Sequence, residues 1–264
     1  MRFHLPPAEL RWLKSAAAES NRPLQALIQR RLNREPLQYI LGTQPFGPLS
    51  LKTCRPTLIP RPETEDWVLT FSEHLSKYFS PLPSRPLTLL DLGTGTGCIP
   101  LLLCHLWPNS SLVATGVDIS HAAVHLANHN AALCGISPSS FTAHLSDFID
   151  SDFPNMQAIK PPYDILTSNP PYITASDYLQ LSDDIAKYED PIALIGGYDG
   201  LDYYRAIARL IARDGFLARR AVIALEVGHN QGAAVCDLIR PTGFLPTVWK
   251  DPWGKERTVI AHRR

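Results

Sequence analysis

The sequence predicts an α/β fold: a mostly parallel sheet with helices on both faces, preceded by a small helical segment. Three observations carry this. From Leu87 onward, short apolar runs alternate with stretches of helical periodicity. The first of those runs ends in Asp91-Leu92-Gly93-Thr94-Gly95-Thr96-Gly97, a glycine-rich turn that opens a helix. The next run ends in an acid, Val117-Asp118, where such folds place a carboxylate for ribose hydroxyls.

Residues 6–20 read as a helix: Pro6 and Pro7 lead in, and Leu10, Leu13 and Ala17 recur at helical spacing. Pro23 opens a second, with Leu24, Leu27, Ile28, Arg31 and Leu32 forming a stripe that ends near Arg34. Between Pro36 and Pro60 short strand-like pieces are broken by Gly42, Gly47 and Pro48, which predicts a hairpin connector. Arg61-Pro62-Glu63-Thr64-Glu65 then starts a helix carrying Trp67, Val68, Phe71 and Leu75, with proline at its first position and acids in its first turn. Pro81, Pro83 and Pro86 mark a break. Strands are predicted over 87–92, 111–117, 141–145, 163–168, 221–226, 244–248 and 258–262, and helices near 98–106, 120–134, 199–213 and 229–240. The last two strands, joined through 250–255, form a closing antiparallel hairpin. The chain thus divides into a helical domain over 1–35, a hairpin linker over 36–60 and the main domain over 61–264.

Composition narrows the partners. In 264 residues, Lys+Arg and Asp+Glu both number 25, so no global field draws the chain to nucleic acid or an anionic membrane. Local basic clusters (Arg30, Arg31 and Arg34; Arg219 and Arg220; Arg263 and Arg264) read as solvated helix faces and termini. No run of about 18 apolar residues is present to span a membrane. The opening residues, Met1 to Pro7, lack the apolar stretch of a signal peptide. The five cysteines are odd in number and show no C-x-x-C spacing, which suits a reducing cytoplasm and indicates neither disulfides nor a zinc site. His121, His125 and His129 share a helix face, yet with no acid or cysteine nearby they read as solvated, and no metal is expected.

The glycine loop excludes two familiar readings. A dinucleotide fingerprint needs glycine where Cys98 stands, and a P-loop needs Gly-Lys-Ser/Thr. Gly93, Thr94, Gly95, Thr96 and Gly97 with Asp118 suit S-adenosyl-L-methionine instead: the loop takes the amino-acid end and Asp118 the sugar. Ser146-Asp147-Phe148, after the third strand, takes the adenine, with Asp147 on an edge and Phe148 on a face. The competing reading of Phe148 is a core aromatic.

The fourth strand ends in Ser168-Asn169-Pro170-Pro171-Tyr172. Proline pushes the residue before it into extended geometry, so Asn169 is splayed outward. Two prolines fix φ and supply no N–H, leaving a stiff tip with a side-chain amide and a free carbonyl. Two converging acceptors suit an –NH2 group. The tetrapeptide alone is equally a proline-rich turn. If strands one and four are neighbours where the strand order reverses, this tip and the glycine loop flank one crevice.

At this point the sequence resembles class I methyltransferases of the HemK/PrmC type, which methylate N5 of a glutamine side chain. The resemblance runs through 36–42, 58–65, 91–97, Asp118-Ile119-Ser120, 169–172, 196–201, Glu226-Val227-Gly228 with Gln231, and 251–257. It implies a seven-stranded sheet, S-adenosyl-L-methionine as cofactor, and an N-terminal helical domain that helps bind the protein substrate. The implied substrate is the Gly-Gly-Gln loop of class-1 peptide chain release factors. By the same resemblance, Gly93, Thr94, Gly95, Thr96, Gly97, Asp118, Phe148 and Asn169 contact cofactor. Asn169, Pro170, Pro171 and Tyr172 contact the glutamine, with Asn169, Pro170 and Tyr172 at the chemistry. The sequence departs from the family in a shorter N-terminal part, in Asp190 before Pro191, and in Arg219 and Arg220 ahead of a buried strand. Arg61 is expected to line the cleft, and Asp199 and Glu226 to shape it.

Three alternatives compete. Glutamine methylation of a ribosomal protein uses the same motifs. The exocyclic amine of adenine in nucleic acid suits the same clamp, against which stand the neutral charge and the lack of a basic–aromatic groove. A module that binds the cofactor without catalysis is the third.

Overall fold

The computed structural model describes residues 5–108 and 111–263. Met1 to His4 and Arg264, which begin and end the segments delimited above, lie outside the described residues.

Helices α1 (Pro7–Ser20), α2 (Leu24–Leu32) and α3 (Leu37–Leu41) come first, then a two-stranded antiparallel hairpin, β1 (Thr43–Phe46) and β2 (Leu49–Lys52). Helix α4 (Pro62–Tyr78) leads to β3 (Leu87–Leu92), α5 (Cys98–Leu106), β4 (Leu112–Asp118), α6 (His121–Leu133), β5 (Phe141–Leu145) and β6 (Tyr163–Ser168). Two four-residue helices, α7 (Ala175–Tyr178) and α8 (Asp183–Ala186), follow the Asn169–Tyr172 tip. Then come α9 (Asp202–Ile211), β7 (Leu217–Glu226), α10 (Gly232–Ile239), β8 (Phe244–Lys250) and β9 (Glu256–Arg263). The seven-stranded sheet runs β5-β4-β3-β6-β7-β9-β8, parallel except for β9 and its pairing to β7 and β8. The chain winds outward from β3 through β4 and β5, then returns to place β6 on the other side of β3. Strand order reverses there, so the ends of β3 and β6 flank a crevice.

Side chains alternate across the pleat, and the two faces build two cores. Leu89 and Ile165 join Trp67, Phe71 and Leu101 on one side, under α4, α5 and α6. Leu90 and Leu166 join Tyr204, Ile207 and Val235 on the other, under α9 and α10. Such covering on both faces is why β6 is buried at every position. Its one acid, Asp164, takes both guanidinium nitrogens of Arg85 at 2.7 and 2.8 Å at the far end from the crevice.

Two local readings are corrected. The connector is not extended throughout, because residues 37–41 form the helix α3, led in by Pro36 and stopped by Gly42 at φ 82°. Strand β7 begins four residues earlier than expected. Tyr163 pairs with Leu217 and Ile165 with Val222, so a bulge absorbs the surplus and carries the exposed Arg219 and Arg220 out of the ladder. The Arg220 guanidinium lies 5.1 Å from the Tyr78 ring centre and donates to the Tyr78 carbonyl.

The N-terminal helices share a small core of Leu13, Leu27 and Ile40. The hairpin packs onto the main domain: Phe46, Leu49 and Leu51 enter the core beneath α5. Asn130 of α6 then acts as a polar staple. Its Oδ1 accepts from Lys52 N at 2.7 Å, and its Nδ2 donates to the carbonyls of Lys52 and of Thr96 in the glycine loop.

Candidate active site

The crevice holds a cleft of about 1120 Å³, open solvent included. Gly93, Thr94, Gly95 and Thr96 form its floor, Asp118 one side, Asp147 and Phe148 another, and Asn169 and Pro171 the far wall. Gly97 lies below, packed on Leu101 and Ala127 at the start of α5. A second lobe of about 520 Å³ continues past the tip that follows β6, lined by Asn169, Pro170, Pro171 and Tyr172 with Leu58 and Arg61. Asn169 and Pro171 belong to both lobes. The glycine loop and the proline-braced tip therefore stand on one cleft.

The floor is a cradle. Gly93 and Gly95 have φ of 68° and 56°, a region other L-residues rarely adopt. A Cβ on Gly93 would meet no atom within 4 Å, and one on Gly95 only the Thr57 methyl at 4.0 Å. Space that a side chain would fill is thus left for a ligand. Asp118 is engaged from behind: Gly95 N donates to Oδ2 and Ser120 N to Oδ1, both at 2.9 Å. Burial raises its carboxyl above the ordinary value, with the backbone N–H groups opposing. Each oxygen keeps a second lone pair for a hydroxyl donor. With Phe148, Ile119 and Ile149 as apolar walls, the cleft fits an adenosine joined to a charged amino-acid chain.

Beneath the loop, Asp91 is sealed from solvent. Thr167 Oγ1 donates to its Oδ1 at 2.6 Å, and Oδ2 has no hydrogen-bond partner among the described residues. Burial pushes this carboxyl up to about 7. Burial pushes the Cys98 thiol up to about 12, which disfavours the thiolate.

The tip is built from both sides. Pro170 is buried and Asn169 half-buried. The Asn169 Nδ2 group lies 3.4 Å from Thr64 Oγ1. Among the described residues neither Asn169 Oδ1 nor the Pro170 carbonyl has a hydrogen-bond partner. Behind the tip, Gln231 Nε2 donates to the Tyr172 carbonyl at 3.0 Å while its Oε1 accepts from Gly228 N. Gly196 passes so close that a Cβ there would sit 2.6 Å from the Pro171 oxygen and 2.8 Å from Tyr172 Cα. The 196–201 and 228–231 segments, quoted above only for their resemblance, are thus the buttress of the tip.

Several residues stand elsewhere than expected, or were missed. Asp199 is on the surface, paired with Arg205, and does not shape the cleft. Glu226 lies behind the wall, bonded to Thr64 and Trp67. Arg61 lines both lobes, and its Nη2 bonds both Glu189 oxygens at 2.7 and 2.6 Å. Burial raises the Glu189 carboxyl against the opposing pull of Arg61. Thr57 and Pro60, from the connector, and Tyr203, from α9, also face the cleft. No periodicity marks them, because each arrives by long-range packing. Among the described residues no group of three or more His, Cys, Asp or Glu is placed to hold a metal ion. No helix among them is long and apolar enough to cross a membrane.

Residues 7–42 match the family model "PrmC N-terminal domain", and residues 72–187 match "Methyltransferase small domain". The chain is 38% identical over 251 residues to the release factor glutamine methyltransferase of Moorella thermoacetica, covering 94% of this chain and 82% of that protein. It is 36% identical to the release factor glutamine methyltransferase of Rhodospirillum rubrum, covering 93% of this chain and 70% of that protein. A methyltransferase crystal structure from Pyrococcus furiosus shares the fold: its TM-score is 0.54 at 14% identity, covering 90% of this chain and 97% of that one.

Proposed function

The chain belongs to the release factor glutamine methyltransferase family, and we propose that it methylates the side-chain amide nitrogen of the glutamine in the Gly-Gly-Gln loop of class-1 peptide chain release factors. The observation that carries this reading is a pair of acceptors without a partner among the described residues, Asn169 Oδ1 and the Pro170 carbonyl, on a stiff tip that stands on the same cleft as the glycine cradle. S-adenosylmethionine, when bound, would supply the sulfonium methyl group and leave as the neutral thioether, and the methylated amide nitrogen gives up one N–H proton to solvent.

The chain's own residues do the rest. Gly93 to Thr96 and Asp118 hold the cofactor, and Asp147 and Phe148 receive its base. An amide nitrogen is a poor nucleophile because its lone pair is delocalised into the carbonyl. Asn169 Oδ1 and the Pro170 carbonyl each accept one of its two N–H bonds, which fixes the nitrogen and directs its remaining density toward the cradle. Such placement supplies up to about 7–11 kcal/mol of a barrier, so no nucleophilic side chain is required. Both acceptors bind more strongly as positive charge grows on nitrogen, which favours the transition state over the ground state. Tyr172 walls the glutamine, and a cation–π contribution of about 0.5–2 kcal/mol accompanies that charge.

A polypeptide suits the rim better than a polynucleotide. Arg30 pairs with Glu35, and Arg31 with Glu9 and, at 3.8 Å, with Asp184, so both of these arginines are engaged by acids. The test is mass spectrometry of a purified release factor after incubation with enzyme and cofactor. One added methyl on the Gly-Gly-Gln peptide is expected. A methyl on another peptide, or on a ribosomal protein in place of the factor, overturns the reading.

A further inference from the structure

Asparagine presents an oxygen or an NH2 group from nearly the same shape, and only its surroundings decide which faces the substrate. Here the decision is traceable to a buried chain behind the wall. Trp67 Nε1, which can only donate, is 2.8 Å from Glu226 Oε2. That oxygen is therefore an acceptor, and it takes the Thr64 hydroxyl proton at 2.6 Å. With its only proton committed, Thr64 Oγ1 turns lone pairs toward Asn169, which must answer with Nδ2, at 3.4 Å. The Asn169 oxygen is then left for the cleft. Thr64 and Glu226 are each about 1% exposed, so water offers no substitute partner.

We propose that Thr64, held by Glu226 and Trp67, is the positioning residue that gives the Asn169 amide its acceptor polarity, and so sets the preference for an –NH2 substrate. This rests on the methyl-transfer reading above. Thr64 lines the cleft beside Asn169 and acts through it, while Glu226 does not line the cleft. A flipped Asn169 would aim two N–H groups at the substrate's own and repel it. Glu226 serves as a one-way acceptor rather than as a base, because it is buried and does not line the cleft.

Two measurements test the chain. In the unmodified protein, the Asn169 side-chain NH2 protons should show a nuclear Overhauser contact with the Thr64 methyl; their absence near Thr64 would overturn the proposal whatever the substrate proves to be. Thr64→Val keeps shape but removes the hydroxyl, and Thr64→Ser restores it. Thr64→Val should lower kcat on a Gly-Gly-Gln peptide about 10- to 100-fold, with cofactor Kd unchanged, and should shift the Asn169 NH2 signals. Thr64→Ser should recover most of the rate and the native signals. Equal rates and unmoved signals in Thr64→Val, or no recovery in Thr64→Ser, contradict the relay. An unmodified enzyme that fails to methylate the peptide counts against the substrate, while the Asn169 signals still decide the relay.

Discussion

A single side chain, Asn169, carries most of the proposed chemistry. Its oxygen is one of two acceptors with nothing else to bind among the described residues. Asn169→Ala should leave cofactor affinity within a few-fold by calorimetry while lowering turnover about 10²–10³-fold, as loss of a preorganised polar group at a reacting centre does. Undiminished turnover would remove Asn169 from the mechanism. Asp91 supplies a second test at this scale. Its folded value near 7 stands above the ordinary 3.8, so the native state holds a proton that the unfolded chain releases. The associated stability is present below about pH 4 and is lost as pH rises to about 7, by a few kcal/mol at most. Denaturant titrations of Asp91→Asn against the parent should show the variant gaining relative stability across that window. A difference independent of pH would mean Asp91 is ionised throughout.

Among elements, the tip depends on segments far away in sequence. Gly196 is there because the backbone of 171–172 leaves no room for a Cβ, and Gln231 because its amide bridges two loops. Gly196→Ala must push the tip, so the methylation rate should fall at least tenfold while the glycine cradle still binds cofactor; loss of cofactor binding in step with rate would show a general collapse instead. Legibility in the sequence divides along the same line. Local signals carried the strands, the Gly93–Gly97 turn and the stiffness of 169–172, since apolar periodicity, glycine spacing and proline φ are properties of neighbours in the chain. Contacts across more than a hundred residues were invisible. Thr64 read as a helix-start residue, whereas its hydroxyl joins Glu226 to Asn169. Asp199 read as a cleft residue but pairs on the surface with Arg205, six positions on. The arginines before the buried part of β7 looked misplaced until the bulge put them in solvent.

For the whole molecule, the connector joins the N-terminal helices to the main domain. It packs Phe46 and Leu51 into the main core, pins β2 to the glycine loop through Asn130, and lends Thr57 and Pro60 to the cleft. Opposite, Arg61 and Glu189 hold the start of α4 to the segment after the tip, and Tyr188 reaches the Asn33 carbonyl at 2.8 Å. Asn130→Ala strands the Lys52 N–H and two carbonyls, one of them buried with Thr96, and should cost about 2–4 kcal/mol in chemical denaturation. A loss under about 0.5 kcal/mol would mean the hairpin is held by apolar packing alone.

The central claim is geometric: a glutamine amide, gripped by two oxygens of the tip, faces the methyl group across the crevice between β3 and β6. A crystal structure with S-adenosylhomocysteine and a Gly-Gly-Gln peptide tests it most directly. The glutamine nitrogen should lie about 2.7–3.2 Å from both Asn169 Oδ1 and the Pro170 carbonyl, on the side of the glycine loop. A glutamine bound outside the 169–172 tip, or one whose nitrogen points away from the cradle, would contradict the account.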